Sequence, residues 1–262
     1  MYFYRLFNSA ELKTEGDTRS DGSIAKLWRL CTVQQLEGLK TLVRIFPIWS
    51  TGIFLSIPVE MRGSMTILQA LTMDRHLGPH FKIPTGSMVV IPTISAVISL
   101  TLIDRFLCPL WLKLSRQSLT PLERVGVGHI LNSLSMIVSA IVESKRLKIA
   151  HHLKYQPDST VPMLVFWLFP PLVLGGIAEE FHFPGQIAFY YQEFPVSLRS
   201  TAIAIASVTI GIAYYLSTAM VDLIKRVTGW LPDDINYGRP DNVYWMQAVV
   251  RVLNFGYYLV CT

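Results

Sequence analysis

The chain has 262 residues, 51% of them hydrophobic and 16% charged, with a mean hydropathy of +0.40 and a formal net charge of +5. Soluble domains carry roughly 25% charged residues, so this composition argues against a soluble globular fold and for a polytopic membrane protein, which the apolar spans below make an all-α one. The basic balance suits loops at lipid headgroups better than a nucleic-acid surface. Three scattered cysteines, Cys31, Cys108 and Cys261, form neither a disulfide framework nor a metal-ligand spacing, and no cofactor or metal is expected.

In chain order, residues 1–37 are polar and of mixed charge, which predicts a cytosolic loop, and residues 38–262 hold the membrane part. Six apolar spans are predicted, at 39–59, 86–111, 121–142, 161–191, 197–221 and 243–261, each long enough to cross a bilayer with tilt. Residues 61–77 are amphipathic and predict a separate interfacial segment. Residues 144–160 and 225–241 are polar connections rich in basic or turn-forming residues, and His151-His152 are expected as solvated loop residues. Basic residues divide almost evenly between the two sides, so the positive-inside rule does not orient the chain. No HExxH, GxSxG or other reaction centre supports an enzyme.

The fourth span carries the most information. It reads VPMLVFWLFPPLVLGGIAEEFHFPGQIAFYY, with Glu179, Glu180 and His182 inside an otherwise apolar run. Ionisable groups at membrane depth are costly and mark a pathway by default. Pro170-Pro171 and Pro184-Gly185 predict breaks on both sides of those groups. On a helix Glu179, His182 and Gln186 fall at i, i+3 and i+7, on one face. Lys40 and Arg44 share a face at the start of the first span. Arg251 lies midway along the last span. The run STAIAIASVTIGIA (200–213) predicts close helix packing, Asn132 and Ser133 predict hydrogen bonds between helices, and Trp111, Trp230 and Tyr244 predict interface anchors.

The segments VQQLEGLKTLVRIFPIW (33–49), LTMDRHLGPHFKIPTGS (71–87), LTPLERVGVGHI (119–130), GIAEEFHFPGQ (176–186), FPVSLRSTA (194–202) and GWLPDDINYGRPDNVYWM (229–246) together resemble the plant nitrate/peptide transporters, the proton-coupled oligopeptide transporters of the major facilitator superfamily. FHFPGQ, YYQEFPVSLRST, LPDDIN and NFGYYLVCT bring the chain nearest to the nitrate excretion subgroup. The resemblance implies two six-helix bundles in the intact protein, of which this chain is the C-terminal one, preceded by the end of the central cytosolic loop. The family's E-x-x-E-R proton-coupling motif has no counterpart; Glu11 and Glu15 lack its spacing and its Arg.

The resemblance also implies roles. Glu179 matches the family's cavity glutamate, with His182 and Gln186 beside it and Lys40 as a matching lysine, together a pathway for substrate and proton. Asp104, Arg105 and Arg116 match the charged loop motif that locks one conformation. An ionised Glu179 would repel nitrate, so it is expected to act through protonation or through a cation partner. The implied function is proton-coupled transport of nitrate or a related small solute at the plasma membrane, with the lipid bilayer, protons, a small anion and the missing N-terminal bundle as partners. The competing reading is a truncated, non-transporting membrane protein that pairs with a full-length relative.

Overall fold

The protein is described here by a computed structural model of residues 33–152, 160–194, 196, 199–232 and 234–262. The predicted cytosolic segment up to residue 32 lies outside the described residues. Helix α1 runs Val33–Thr72, followed by short strands β1 (Met73–Asp74), β2 (His76–Leu77) and β3 (Phe81–Lys82). A 3₁₀ turn at Thr85–Val89 leads into α2 (Val90–Leu102), a π turn at Ile103–Leu107 and α3 (Cys108–Ser115), one continuous helical stretch. Helix α4 spans Pro121–His152, strand β4 Val161–Leu164, α5 Phe169–Glu193, α6 Thr201–Val227 and α7 Pro240–Cys261.

Four stretches, Gly38–Thr72, Thr85–Ser115, Pro121–His152 and Thr201–Val227, are long and apolar enough to cross a membrane among the described residues. Helices α5 and α7 fall outside that set although both are long. They are the helices that carry Glu179, Glu180, His182 and Arg251, and interior polar groups depress mean hydropathy. Large apolar side chains such as Val97, Leu114, Tyr215 and Val260 face outward, as expected where the surroundings are themselves apolar.

Several sequence expectations change. Residues 61–72 are not a separate interfacial segment: α1 continues through them, because Met61, Arg62, Met65, Thr66, Gln69 and Ala70 all bury on one side. Helix α5 passes unbroken through Pro184, and Pro170 and Pro171 sit in its first turn, where a missing N–H costs nothing. Helix α4 extends ten residues beyond the predicted span, to His152. Its basic stretch is not a loop because Arg146, Leu147 and Ala150 are buried. Asp104 and Arg105 lie in the π turn within a helix rather than in a loop. Tyr244 is no interface anchor; it is 1% exposed and its hydroxyl donates to Gln69 Oε1 at 3.2 Å.

Three apolar clusters hold the bundle. One joins Ala70, Met73 and Met88 to Val142, Val161 and Leu172. A second packs Met61 and Met65 against Met136, Ile224 and Tyr244. A third gathers Ile45, Phe189, Tyr190, Phe194 and Ala202. The small residues of α6 do pack: Ala202, Ala206, Thr209 and Ala213 are buried, and Trp49 Nε1 of α1 donates to Thr209 Oγ1 at 2.7 Å. At one end, β1 pairs with β4 in parallel (Met73 opposite Val161), and β2 with β3 antiparallel around Gly78, whose φ of +74° suits a residue without Cβ.

Candidate functional site: a buried polar centre

Helix α5 brings Glu179 to the middle of the bundle, and α1 meets it with a residue that sequence reasoning assigned to an interface. Arg62 Nη2 lies 3.2 Å from Glu179 Oε1, with the arginine side chain 4% exposed and the glutamate 23%. Arg62 Nη1 also donates to Ser135 Oγ on α4 at 2.8 Å, and Ser135 in turn donates to the Pro171 carbonyl at 2.7 Å. The guanidinium lies directly against Gly175, where a Cβ would collide with it. Glycine at 175 therefore makes room for the ion pair. Glu60, two residues before Arg62, is hydrogen-bonded by the Tyr214 hydroxyl of α6.

His182 and Gln186 follow Glu179 down the same buried side of α5, 1% and 2% exposed, but each meets a different neighbour. The His182 ring stands edge-on to His129 of α4, with ring centroids 5.5 Å apart. Gly128 allows that approach, since a Cβ there would come within 2.9 Å of His182 Cβ. Gln186 packs against Gly52 of α1 and donates to the Tyr190 hydroxyl at 2.9 Å. From α7, Arg251 is 2% exposed and donates to the Leu55 carbonyl at 3.3 Å, and Asn254 Nδ2 donates to the Thr51 carbonyl at 2.9 Å. The Arg251 charge reaches Glu179, Arg62 and both histidines. Two guanidiniums thus share the centre with the Glu179 carboxylate.

The remaining sequence-chosen residues lie elsewhere. Lys40 is 22 residues before Arg62 on the same helix, roughly 33 Å away at 1.5 Å per residue, and is not brought to Glu179. Asp104 faces Arg124 of α4 at 3.5 Å, so the cross-helix pair at that end uses Arg124. Arg105 and Arg116 are exposed, and Arg116 ends α3 in the left-handed region with φ of 56°. The Asn132 side chain makes no hydrogen bond, and Ser133 bonds within its own helix to the His129 carbonyl. Among the described residues no group of three or more His, Cys, Asp or Glu is arranged to hold a metal ion.

Sequence reasoning missed Arg62, His129 and a second buried ion pair, Glu143 with Arg146. Arg146 Nε and Nη2 donate to the two Glu143 oxygens at 2.8 and 2.7 Å, with both side chains fully buried. Gln69 Nε2 donates to Glu143 at 2.7 Å, and Arg146 Nη1 to Thr72 at 3.0 Å and to Asn236. The available signal was the i, i+3 spacing of opposite charges in a helix otherwise apolar on that side.

A bundle of long apolar helices around a buried guanidinium–carboxylate centre defines a multi-span membrane protein of the transporter class. The profile of the POT family (PTR2) matches residues 5–237, and the chain belongs to that family. It is 55% identical over 260 residues to Protein NRT1/PTR FAMILY 2.7 of Arabidopsis thaliana, covering 99% of this chain and 47% of the relative. Protein NRT1/PTR FAMILY 2.6 of the same plant is 54% identical with the same coverage. The chain therefore spans about half the length of these curated relatives. Its fold is similar to the crystal structure of an auto-inhibited POT family peptide transporter (TM-score 0.68, 17% identity, 86% of this chain and 41% of that one). It is also similar to the POT family transporter PepTSo (TM-score 0.65, 15% identity, 88% and 43%).

Proposed function

We propose that the chain is the C-terminal six-helix bundle of a proton-coupled transporter of nitrate or a related small anion, with all six helical stretches crossing the plasma membrane. The observation that carries this reading is the Arg62–Glu179 pair, nearly enclosed and only partly open at the carboxylate. An ionised Glu179 neutralises Arg62. When Glu179 takes up a proton, the guanidinium loses its counter-charge in a medium where an unpaired charge is costly. An anion then restores neutrality at Arg62, so proton uptake and anion binding favour each other. Loss of the proton reforms the pair and expels the anion. This removes the conflict between a cavity carboxylate and an anionic cargo. His182, Gln186 and Lys40 remain candidates for the wider pathway, and Asp104, Arg105 and Arg116 for the gate, with Arg124 added as the partner of Asp104.

Alternating access needs a second bundle facing this one, and the chain spans about half its relatives. A second reading follows: the chain transports nothing alone and acts by pairing with another six-helix half or a full-length relative. The deciding experiment reconstitutes the chain in liposomes, alone and with a co-expressed N-terminal half, and follows nitrate flux under an inward proton gradient. The transport reading expects flux only in the assembled pair, with Glu179→Gln uncoupling flux from the gradient. Gradient-driven flux that survives Glu179→Gln unchanged would sink the proton role of this residue.

A further inference from the structure

Behind the Arg62–Glu179 pair, three helices turn polar faces toward one another. They are His129 and Asn132 on α4, Glu179 and His182 on α5, and Arg251 with Asn254 on α7. Most of these side chains are satisfied incompletely. His182 Nδ1 and Nε2, His129 Nε2, both amide atoms of Asn132, Arg251 Nε and Nη1, and Asn254 Oδ1 are buried without a hydrogen-bond partner. The large majority of buried polar side-chain atoms in native proteins have partners, and leaving one orphaned is costly. The orphans are a mixture of donors and acceptors. That mixture does not match an anion, which takes only donors, or a cation, which takes only acceptors. It matches water, which gives and receives, and buried waters characteristically make about three hydrogen bonds to such groups. The two imidazoles stand in edge-on contact, centroids 5.5 Å apart, which leaves the place for water beside the rings, at their orphaned nitrogens, and not between them.

We propose that this seam holds internal water and that His182 and His129, bridged by it, relay protons between Glu179 and the Tyr258 end of the bundle. The inference rests on the proton-coupled reading for its purpose, but the hydrated histidine pair stands on the side-chain geometry. His182 lies one turn from Glu179. His129 is next, and it stacks on Tyr258 at 4.8 Å, whose hydroxyl donates to the Leu122 carbonyl at 2.7 Å, at the first turn of α4. Each step conserves charge. The Glu179 carboxyl passes its proton to a water, and that water passes a proton to one ring nitrogen of His182. The other ring nitrogen releases its proton to the water before His129, which protonates His129 Nε2 while His129 Nδ1 gives up its own proton toward the Tyr258 end, and each ring resets by rotation about Cβ–Cγ. An imidazole serves because it accepts and donates at different atoms. The charged groups that face the seam are Glu179 from α5, Arg62 from α1 and Arg251 from α7, with Glu180 next to Glu179 on α5.

The test has two independent readings. The purified chain, labelled with ¹⁵N at histidine, is studied by NMR in lipid nanodiscs for magnetisation transfer between water and each ring. The expected result is water contact at both buried rings, with loss of the His182 contact in His129→Phe while helical circular dichroism is retained. Dry rings in the folded wild-type chain would overturn the hydrated seam. The second reading uses the chain assembled with its N-terminal half. There His129→Gln is expected to lose proton-driven accumulation while anion counterflow, which needs no net proton movement, persists. Accumulation equal to wild type in that variant overturns the relay even if the rings are wet. An assembled wild type that moves no anion would defeat the proposed function, yet the water contacts would still decide the seam.

Discussion

Arg62 illustrates how one side chain changes the meaning of another. Alone, Glu179 is a carboxylate in an apolar helix; with a guanidinium at 3.2 Å it becomes half of a buried ion pair. Removing one member of a buried pair typically costs about 3–5 kcal/mol because the other charge is left uncompensated. Arg62→Met is therefore expected to lower the stability of the folded chain by about 3 kcal/mol, while Arg62→Met with Glu179→Leu recovers much of the loss. Thermal unfolding in detergent, run as a double-mutant cycle, checks this, and additive losses would show that the two side chains are not coupled. A smaller residue effect belongs to the surface. The Asp74 carboxylate accepts from the backbone N–H and the ring of His76, which holds its pKa below the usual aspartate value. A carboxylate with a lowered folded pKa contributes stability above its unfolded pKa of about 3.9 and loses it as pH falls through the folded value. Asp74→Asn is thus expected to change the order of the β2–β3 hairpin at neutral pH and to make no difference well below pH 3, as followed by amide exchange of residues 76–82.

At the scale of elements, helices were legible wherever apolar length alone decided the matter, and the α2–α3 stretch, α4 and α6 begin close to their predicted positions. Their ends were less legible because polar residues continue a helix when they find partners in the core. Arg146 and Arg62 are such residues: each reads as a loop or interface charge until its partner is known, Glu143 one turn back in the same helix for Arg146, and Glu179, brought by tertiary packing, for Arg62. Pro184 misled for a related reason. A proline deletes one helical hydrogen bond and favours a kink, but α5 is held on both sides of it by His182 and Gly185 packed against α4. The Glu179–His182–Gln186 face was readable from spacing; its partners, supplied by α1, α4 and α7, were not. Close packing at this crossing depends on glycine. At Gly128 an added Cβ would meet His182 Cβ at 2.9 Å, its backbone N at 3.0 Å and the Ala178 carbonyl at 3.1 Å, most of which is backbone that cannot turn aside. Gly128→Val is expected to separate α4 from α5 and to cost about 1–3 kcal/mol. Gly63→Val, with open space around its Cβ position, is the control for intrinsic helix effects. Equal melting temperatures for the two variants would argue against a tight α4–α5 crossing.

Across the whole molecule the polar interior is divided. The seam behind the Arg62–Glu179 pair is under-satisfied, with orphaned atoms on His129, Asn132, His182, Arg251 and Asn254. The end formed by Glu143, Arg146, Gln69, Thr72, Asn236 and Tyr244 is saturated: both carboxylate oxygens accept from Arg146, Gln69 adds another bond, and Tyr244 donates to Gln69. His151 reaches the Asn236 carbonyl at 3.1 Å, so the loop before α7 is tied to α4 twice. Such a network joins α1, α4, α7 and that loop into one unit. Glu143→Leu alone leaves a fully buried guanidinium with no counter-charge, and the expected loss is about 3–5 kcal/mol. Arg146→Met alone strands the carboxylate and costs a similar amount. The pair Glu143→Leu, Arg146→Met removes both charges, and an apolar replacement of a buried ion pair is often near neutral, so stability returns while the ties to Thr72 and Asn236 do not. Amide exchange at residues 234–239 separates the two roles of the clamp. If it pins the loop, those amides exchange faster in the double variant even though its melting temperature recovers. Unchanged protection there would mean that the pair stabilises α4 alone and that the loop is held by His151.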